Sequence, residues 1–159
     1  MSMEDTTIAW AESIVREVQG CQQLTVGLIS GARYGNDPRC IDRLVGVLAR
    51  QAKAAGEEYS VLNVRLAVQT TEKLDRPEGQ SDRVPPAVKS PLGNWSELQI
   101  PVPIGARASW SLLQLPSWLS TWKKAYRLIL LDTGPIHLVP SRVVGHLCDI
   151  NYLHLGPQE

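Results

Sequence analysis

The feature that most constrains the fold is a set of short, continuously apolar segments, most of them followed by a helical pattern. Residues 24–30 (LTVGLIS) and 126–132 (YRLILLD) are two such segments, and they lack the polar alternation of a strand with one face in water. Runs of this kind are typical of strands buried on both faces of a parallel sheet. Three further strands are predicted at residues 59–68, 98–104 and 150–156. Prolines restrict the second of these to a sheet edge or the beginning of a ladder.

Helical periodicity fills most of the intervals between these strands. It predicts an opening helix that buries Ile8, a helix over residues 38–55, a helix over residues 116–125 capped by Ser117, and a short helix capped by Ser141. The alternation of strands and helices predicts a three-layer α/β fold with a mainly parallel sheet of about five strands. The residues predicted to share one core are Val26, Leu28, Leu44, Leu48, Val61, Ile129 and Leu131.

The chain length and the apolar content predict one domain over residues 1–159. A chain of 159 residues that is 43% hydrophobic can bury a substantial core. Residues 69–95 contain four prolines and little apolar periodicity, so they are predicted to form a long loop. That loop is interpreted either as a tolerated surface insertion or as a docking loop or lid.

The charge balance argues against nucleic acid as a partner. Sixteen basic and sixteen acidic side chains cancel, and the basic ones are scattered along the chain. The apolar runs are too short to span a bilayer, and the first residues lack the layout of a secretory signal, so a cytoplasmic location is expected. The three cysteines and three histidines show no metal-ligand spacing, and no metal site is predicted.

The segment GARYGNDPRC, residues 31–40, lies between an apolar strand and an amphipathic helix, where nucleotide-binding proteins hold phosphate. The candidate nucleotide-binding residues are Gly31, Arg33, Gly35, Asn36, Asp37 and Arg39. The lysine and hydroxyl of a phosphate loop are absent, and Asp37 followed by Pro38 is a common helix start with a carboxylate cap. Two hypotheses follow: a self-capped, empty loop, or an unorthodox phosphate site that uses Arg33 and Arg39.

The order of these motifs resembles the deviant P-loop ATPases, which include bacterial tyrosine kinases of polysaccharide export and chromosome-partition and division-site ATPases. The resemblance covers residues 24–155. It rests on the strand and loop at residues 24–40, on ARQAKAAGEEYSVLNVRL at residues 49–66, on YRLILLDTGP at residues 126–135 and on CDINYLHLG at residues 148–156. The resemblance implies a P-loop NTPase-like fold. It also places Asp132 at the family's metal-water aspartate, with Thr133 and Pro135 beside it.

The resemblance also implies what the chain has lost. Asn63 and Arg65 stand where the family has two aspartates, and Pro38 stands at the catalytic lysine. The implied function is a non-catalytic pseudo-ATPase that acts as an interaction or regulatory module, with a link to polysaccharide export. Its partner would be a second copy, an ATPase homologue or a membrane export protein, and no cofactor is expected. The alternative is an active ATPase or kinase that binds ATP and Mg²⁺ through an arginine-based loop, with Asp132 as its metal and catalytic residue.

The tripeptide Asp132-Thr133-Gly134 also matches the D-T-G of aspartic proteases. Such an enzyme needs two aspartates that share a proton, so this chain would have to dimerise. Pro135 and the alternation of helices with strands differ from an all-β protease. A dimeric aspartic protease is therefore the remote alternative.

Overall fold

The computed structural model describes residues 3–31, 37–54, 60–69, 84–103, 110–135 and 139–154. Strands and helices alternate through most of these ranges, as the sequence predicts. The elements, in chain order, are α1 (Met3–Gln19), β1 (Leu24–Ser30), α2 (Pro38–Ala54), β2 (Val61–Gln69), β3 (Val88–Lys89), β4 (Ser96–Pro103), α3 (Trp110–Ala125), β5 (Leu128–Pro135), α4 (Val139–Gly145) and β6 (Ile150–His154).

The strands of the described residues form one sheet in the order β3-β4-β2-β5-β1-β6. All neighbouring strands run parallel except β3, which pairs antiparallel with β4. The predicted α/β class with a mainly parallel sheet is confirmed. The sheet has six strands rather than about five, because β3 lies within the segment predicted as a loop. A strand of two residues carries no periodicity that a sequence pattern can detect.

The sheet is buried on both faces, and the predicted single core is in fact two clusters. Successive residues of a strand point to opposite faces. Val26, Leu28, Leu44, Leu48 and Val61 belong to one cluster, with α1 and α2, whereas Ile129 and Leu131 belong to the other, with α3 and α4. We call these the α2 face and the α3 face of the sheet. All seven residues are buried, so the prediction fails only in placing them in one core.

The opening helix is confirmed, but its buried stripe differs from the prediction at one position. Ala11, Ile14 and Val18 are buried against α2 and the sheet, whereas Ile8 is 53% exposed. Trp10 takes the inner position near the beginning of the helix, where its ring lies 5.8 Å from that of Tyr152 on β6. A residue two positions from Ile8 lies on the other side of the helix, so only one of the two can face the core.

Helix α3 begins six residues before the predicted start. The sequence places the start at Pro116 with Ser117 as the cap, but the helix begins at Trp110 and Pro116 lies inside it. Ser117 lies inside the helix and cannot cap its start, and Ala125, which helical spacing from Trp118 and Trp122 predicts to point inward, is exposed. The buried Trp118, Leu119 and Trp122 do face the sheet, together with Leu112 and Leu115. Ser141, the other predicted cap, lies inside α4.

The prolines of β4 occupy the part of that strand with a single described neighbour. Strand β4 pairs with β2 along its whole length, from Ser96 to Pro103. Strand β3 pairs only with Ser96 and Glu97, so Pro101 and Pro103 lie beyond its end. This arrangement agrees with the restriction predicted from the missing N–H groups of proline. Within the described ranges, none of the helices combines the length and hydropathy that crossing a bilayer requires.

Candidate functional site

The strand order places a topological switch point between β1 and β5. After β1 the chain passes over the α2 face to β2, whereas after β5 it passes through α4 on the α3 face to β6. The two connections therefore leave neighbouring strands in opposite directions. In open α/β sheets, ligands bind in the crevice outside the carboxyl ends of the strands at such a point. We call this region the switch-point crevice; it lies at the ends of β1 and β5, beside the start of α2.

The crevice brings together some of the predicted site residues, and others fall outside the described ranges. Gly31 follows β1, and its N–H donates to the His154 carbonyl of β6 at 2.6 Å. Arg33, Gly35 and Asn36 lie outside the described residues. Asp37 and Arg39 stand at the start of α2. The described ends of this connection are therefore Gly31, directly after β1, and Asp37, directly before α2.

Asp37 caps helix α2, as the sequence predicts. The Asp37 carboxylate oxygen Oδ1 accepts a hydrogen bond from the backbone N–H of Arg39 at 2.9 Å. The Asp37 carbonyl accepts from the N–H groups of Cys40 and Ile41 at 3.0 and 3.1 Å. Pro38 is the first residue of the helix, where its missing N–H costs no hydrogen bond. The carboxylate therefore occupies a donor of the helix start that a phosphate oxygen would need.

Asp132 lies at the carboxyl end of β5 and faces Arg65 of β2. The two residues are paired in the strand register, and Arg65 Nε is 3.9 Å from Asp132 Oδ2. The Asp132 side chain is 6% exposed and that of Arg65 is 41% exposed, so the carboxylate is the buried partner. Sequence reasoning singled out Asp132 but did not pair it with Arg65, because the pairing depends on β2 and β5 being neighbours in space.

A bulge beside Asp132 reshapes the end of β5. Asp132 pairs with Leu28 and Gly134 pairs with Ile29, which leaves Thr133 as the extra residue. The Thr133 hydroxyl donates to the Leu28 carbonyl at 3.3 Å and is fully buried. Gly134 has a φ of 78°, a conformation that a side chain would strain. Bulges are common next to functional sites, where they redirect a strand end.

A row of polar side chains extends from Asp132 across the α2 face of the sheet. The strand register places Gln99, Arg65 and Asp132 side by side on β4, β2 and β5, and it places Glu97 beside Asn63 one row earlier. Asn63 is 7% exposed, and its Oδ1 has no hydrogen-bond partner among the described residues. Sequence reasoning missed Glu97 and Gln99, although their alternation with Leu98 and Ile100 signals a strand with one polar side.

The side chains beside Asp132 differ in charge from those of a magnesium site. Mg²⁺ is usually held by carboxylates and substrate phosphates, but here the neighbour of Asp132 is a cation and the next polar side chain is an amide. Among the described residues, no group of three or more His, Cys, Asp and Glu side chains is placed to hold a metal ion. The described counter-ion of Asp132 is therefore the guanidinium of Arg65.

The chain was compared with known protein-family models, curated proteins and solved structures, and none of these comparisons gave a match.

Proposed function

We propose that this chain is a pseudo-ATPase with a three-layer P-loop NTPase-like fold, and that it acts as a non-catalytic interaction or regulatory module. The observation that carries the proposal is the hydrogen bond from the Arg39 N–H to the Asp37 carboxylate. The start of α2 already has its own anion at the position where nucleotide phosphates bind in P-loop proteins. The resemblance to bacterial tyrosine kinases and partition ATPases supports the fold part of the proposal.

Electrostatics support an empty loop. Two like charges about 4 Å apart repel by roughly 4 kcal/mol at an effective dielectric constant near 20. A γ-phosphate brought to the start of α2 would therefore meet repulsion from Asp37 where a phosphate loop supplies an attracting lysine. Arg39 offsets part of this repulsion, since its Nε lies 3.6 Å from Asp37 Oδ1. The Asp37 side chain is 44% exposed, so solvent weakens both interactions.

The pairing of Asp132 supports the absence of catalysis. In the related ATPases, this aspartate would hold a water ligand of Mg²⁺. Here Arg65 stands opposite the carboxylate, and a divalent cation would have to approach against the guanidinium charge. The ion pair is equally unsuited to an aspartic protease, whose two carboxyl groups share one proton and need no cation between them. The parallel strands around Asp132-Thr133-Gly134 also differ from the expected all-β protease.

One observation favours an arginine-based nucleotide site as the second candidate. The Arg39 side chain is 93% exposed beside the helix start, so its guanidinium can turn from Asp37 towards an incoming phosphate. In that case ATP and Mg²⁺ are ligands, and Arg33 is the expected second cation. The two candidates differ in nucleotide binding and agree on the fold.

The proposed pathway and partner come from the resemblance. We propose a cytoplasmic protein that contacts a second copy, an ATPase homologue or the cytoplasmic end of a membrane export protein, with a link to polysaccharide export. Capturing partners from the source cell tests this link. Recovery of unrelated metabolic enzymes alone would contradict it.

The deciding experiment measures ATP hydrolysis and autophosphorylation by freshly purified protein with Mg²⁺. We expect turnover no higher than that of the Asp132→Asn variant, which keeps the shape of the side chain and removes its charge. Turnover that this substitution abolishes would overturn the proposal. Saturable ATP binding without turnover, lost in Arg39→Gln, would instead establish the arginine-based candidate.

A further inference from the structure

A groove on the outer side of α2 lies apart from the switch-point crevice. Its floor is Trp95, one wall is α2 and the opposite wall is the turn at residues 91–94, with Ile8 of α1 at one end. The cavity has a volume of about 750 Å³ and adjoins a second cavity of about 500 Å³ beside Ser60 and Lys89. Lys53 and Trp95 line both cavities, so we treat them together as the α2 groove.

The turn that forms one wall depends on Gly93. A Cβ atom at Gly93 would overlap the six-membered ring of Trp95, so only glycine lets the turn close onto the indole. The same ring packs beside Gly46 of α2. Trp95 is 6% exposed, and its Nε1 has no hydrogen-bond acceptor among the described residues. The floor of the groove is therefore the largely buried indole of Trp95, which presents an apolar surface.

The rim of the groove is apolar at two positions. Leu92 is 67% exposed on the turn, and Ile8 is 53% exposed on α1. Both residues line the groove, although most large apolar side chains of the described chain are buried. Leucine and isoleucine placed at the two sides of a concave surface can hold an apolar side chain of a partner between them.

The charge of the groove is strongly positive in a chain with no net charge. Among the described residues, its lining includes the cations Arg43, Arg50, Lys53 and Lys89 and one carboxylate, that of Asp42. Arg50, Lys53 and Lys89 form no ion pair with any described residue. The whole chain has sixteen basic and sixteen acidic side chains, so this excess is local. A local excess of one sign attracts a segment of the opposite sign and guides its approach.

We propose that the α2 groove binds an acidic, extended segment of a partner protein that carries an apolar side chain between its carboxylates. The partner's apolar side chain lies over Trp95 between Leu92 and Ile8, and its carboxylates face Arg50, Lys53 and Lys89. From Asp42 to Lys53 the helix rises about 16 Å, which an extended segment of about five residues spans. A concave groove with walls on two sides suits a peptide chain better than a flat bilayer.

This inference rests on the proposed function only in assuming a protein partner. Arg50 and Lys53 stand near the end of α2, whereas Asp37 stands before its beginning. Variants in the groove therefore leave the nucleotide question unchanged. ATP turnover would contradict the pseudo-ATPase proposal and leave groove binding intact, and a groove that binds no peptide would leave the pseudo-ATPase proposal intact.

The test measures fluorescence anisotropy of a labelled peptide, Glu-Glu-Leu-Glu-Glu-Leu-Glu-Glu, at low ionic strength. We expect saturable binding that weakens with added salt, and no binding of the matching peptide with Lys in place of Glu. The double variant Arg50→Gln with Lys53→Gln binds the peptide about fivefold more weakly, because exposed charge pairs contribute about 0.2–1 kcal/mol each. The matched control is Lys123→Gln with Lys124→Gln, two exposed lysines of α3, which leaves binding unchanged.

Two equally exposed leucines, one inside and one outside the groove, test its apolar part. Leu92→Gln weakens peptide binding about fivefold, whereas Leu113→Gln does not, although both leucines are 67% exposed. The proposal is overturned if no saturable binding occurs, or if the α3 variants weaken binding as much as the groove variants. It is also overturned if phosphatidylserine vesicles or a single-stranded oligonucleotide bind more tightly than the peptide through Arg50 and Lys53, since the occupant is then a lipid surface or a nucleic acid.

Discussion

At the residue scale, Asp37 takes the position at the start of α2 that a bound anion takes in a phosphate loop. Its carboxylate accepts the Arg39 N–H, and its negative charge lies at the positive end of the helix dipole. Both contributions stabilise the start of the helix, and under the proposed function the same carboxylate repels a nucleotide phosphate. A single side chain therefore connects the stability of the helix with the proposed loss of activity.

We expect Asp37→Ala to lower the free energy of unfolding by about 0.5–2 kcal/mol, because the Arg39 N–H loses its acceptor. Urea denaturation measures the change. Asp37→Asn is the matched control, since an amide oxygen also caps a helix and should retain most of the stability. An alanine variant as stable as the native protein would show that the cap contributes little.

Cys148 is partly buried against the cluster on the α3 face, and its thiol provides a pH-dependent test of that packing. Burial raises the pKa of its thiol from the ordinary 9.0 to about 12, and the neighbouring Asp149 carboxylate adds to the rise while Lys123 opposes it. The folded protein holds this proton more tightly than the unfolded chain. The resulting stability is fully present below pH 9.0 and is lost as the pH rises towards 12.

We therefore expect the native protein to lose stability above pH 9.0 more steeply than the Cys148→Ala variant. The difference in slope approaches about 1.4 kcal/mol per pH unit. Urea denaturation at a series of alkaline pH values measures it, and comparing slopes removes the constant cost of the substitution. Parallel curves for the two proteins would mean that folding does not shield the Cys148 thiol from water enough to raise its pKa.

At the element scale, α3 shows how one proline misplaces a predicted helix. A proline is favoured at the first helical position and disfavoured inside, so the sequence rule begins the helix at Pro116. The structure begins it at Trp110, because Leu112 and Leu115 bury their side chains against the α3 face. Burial of these leucines thus outweighs the local cost of a proline inside the helix, which a sequence pattern cannot weigh against packing.

We expect Pro116→Ala to raise the free energy of unfolding by about 2 kcal/mol. A proline inside a helix costs about 3 kcal/mol relative to alanine. Removing it also makes the unfolded chain more flexible, which offsets up to about 1 kcal/mol of the gain in stability. The exposed Pro116 ring gives up no core contact. Ser117→Ala is the control: it should be nearly neutral inside a helix, and a loss of about 1 kcal/mol would show that Ser117 caps a later helix start after all.

The strands illustrate which parts of the fold a single sequence predicts. The beginning and end of β1 match the predicted segment, because its seven mostly apolar residues lie between Gln23 and Gly31 and leave little freedom in where the strand begins and ends. The face assignment of β5 does not follow from its sequence, since Leu128, Ile129, Leu130 and Leu131 are all apolar and a strand buried on both sides shows no polar alternation. That missing signal is why two clusters were predicted as one core.

At the scale of the whole molecule, strand order decides how much of the site could be predicted. Asp37 caps the helix that follows it, so local sequence rules predicted the contact. Arg65 and Asp132 are far apart along the chain and become partners only because β2 and β5 are neighbours. Gly31 and His154 likewise meet only because β6 lies beside β1. Contacts within one element are readable from sequence, and contacts between elements require the topology.

The crevice as a whole can be tested through the coupling of ligand binding to folding. Millimolar ATP with Mg²⁺ should leave the melting temperature of the native protein unchanged, because the proposed pseudo-ATPase has Asp37 in place of the phosphate. A ligand that binds only the folded state at 100 times its Kd stabilises by about 2.7 kcal/mol. For a chain of this size such a gain raises Tm by about 5–10 °C, which a thermal scan resolves.

The converse experiment restores the missing groups. The variant Asp37→Gly with Pro38→Lys and Arg39→Ser removes the competing carboxylate and supplies an ammonium and a hydroxyl at the start of α2. This variant loses the cap and melts lower without ligand, so the measured quantity is the shift that ATP and Mg²⁺ produce within each protein. We expect a positive shift in the restored variant alone. A nucleotide-dependent shift in the native protein that disappears in Arg39→Gln would show instead that Arg39 turns away from Asp37 to hold phosphate, and the loop would then be an arginine-based nucleotide site.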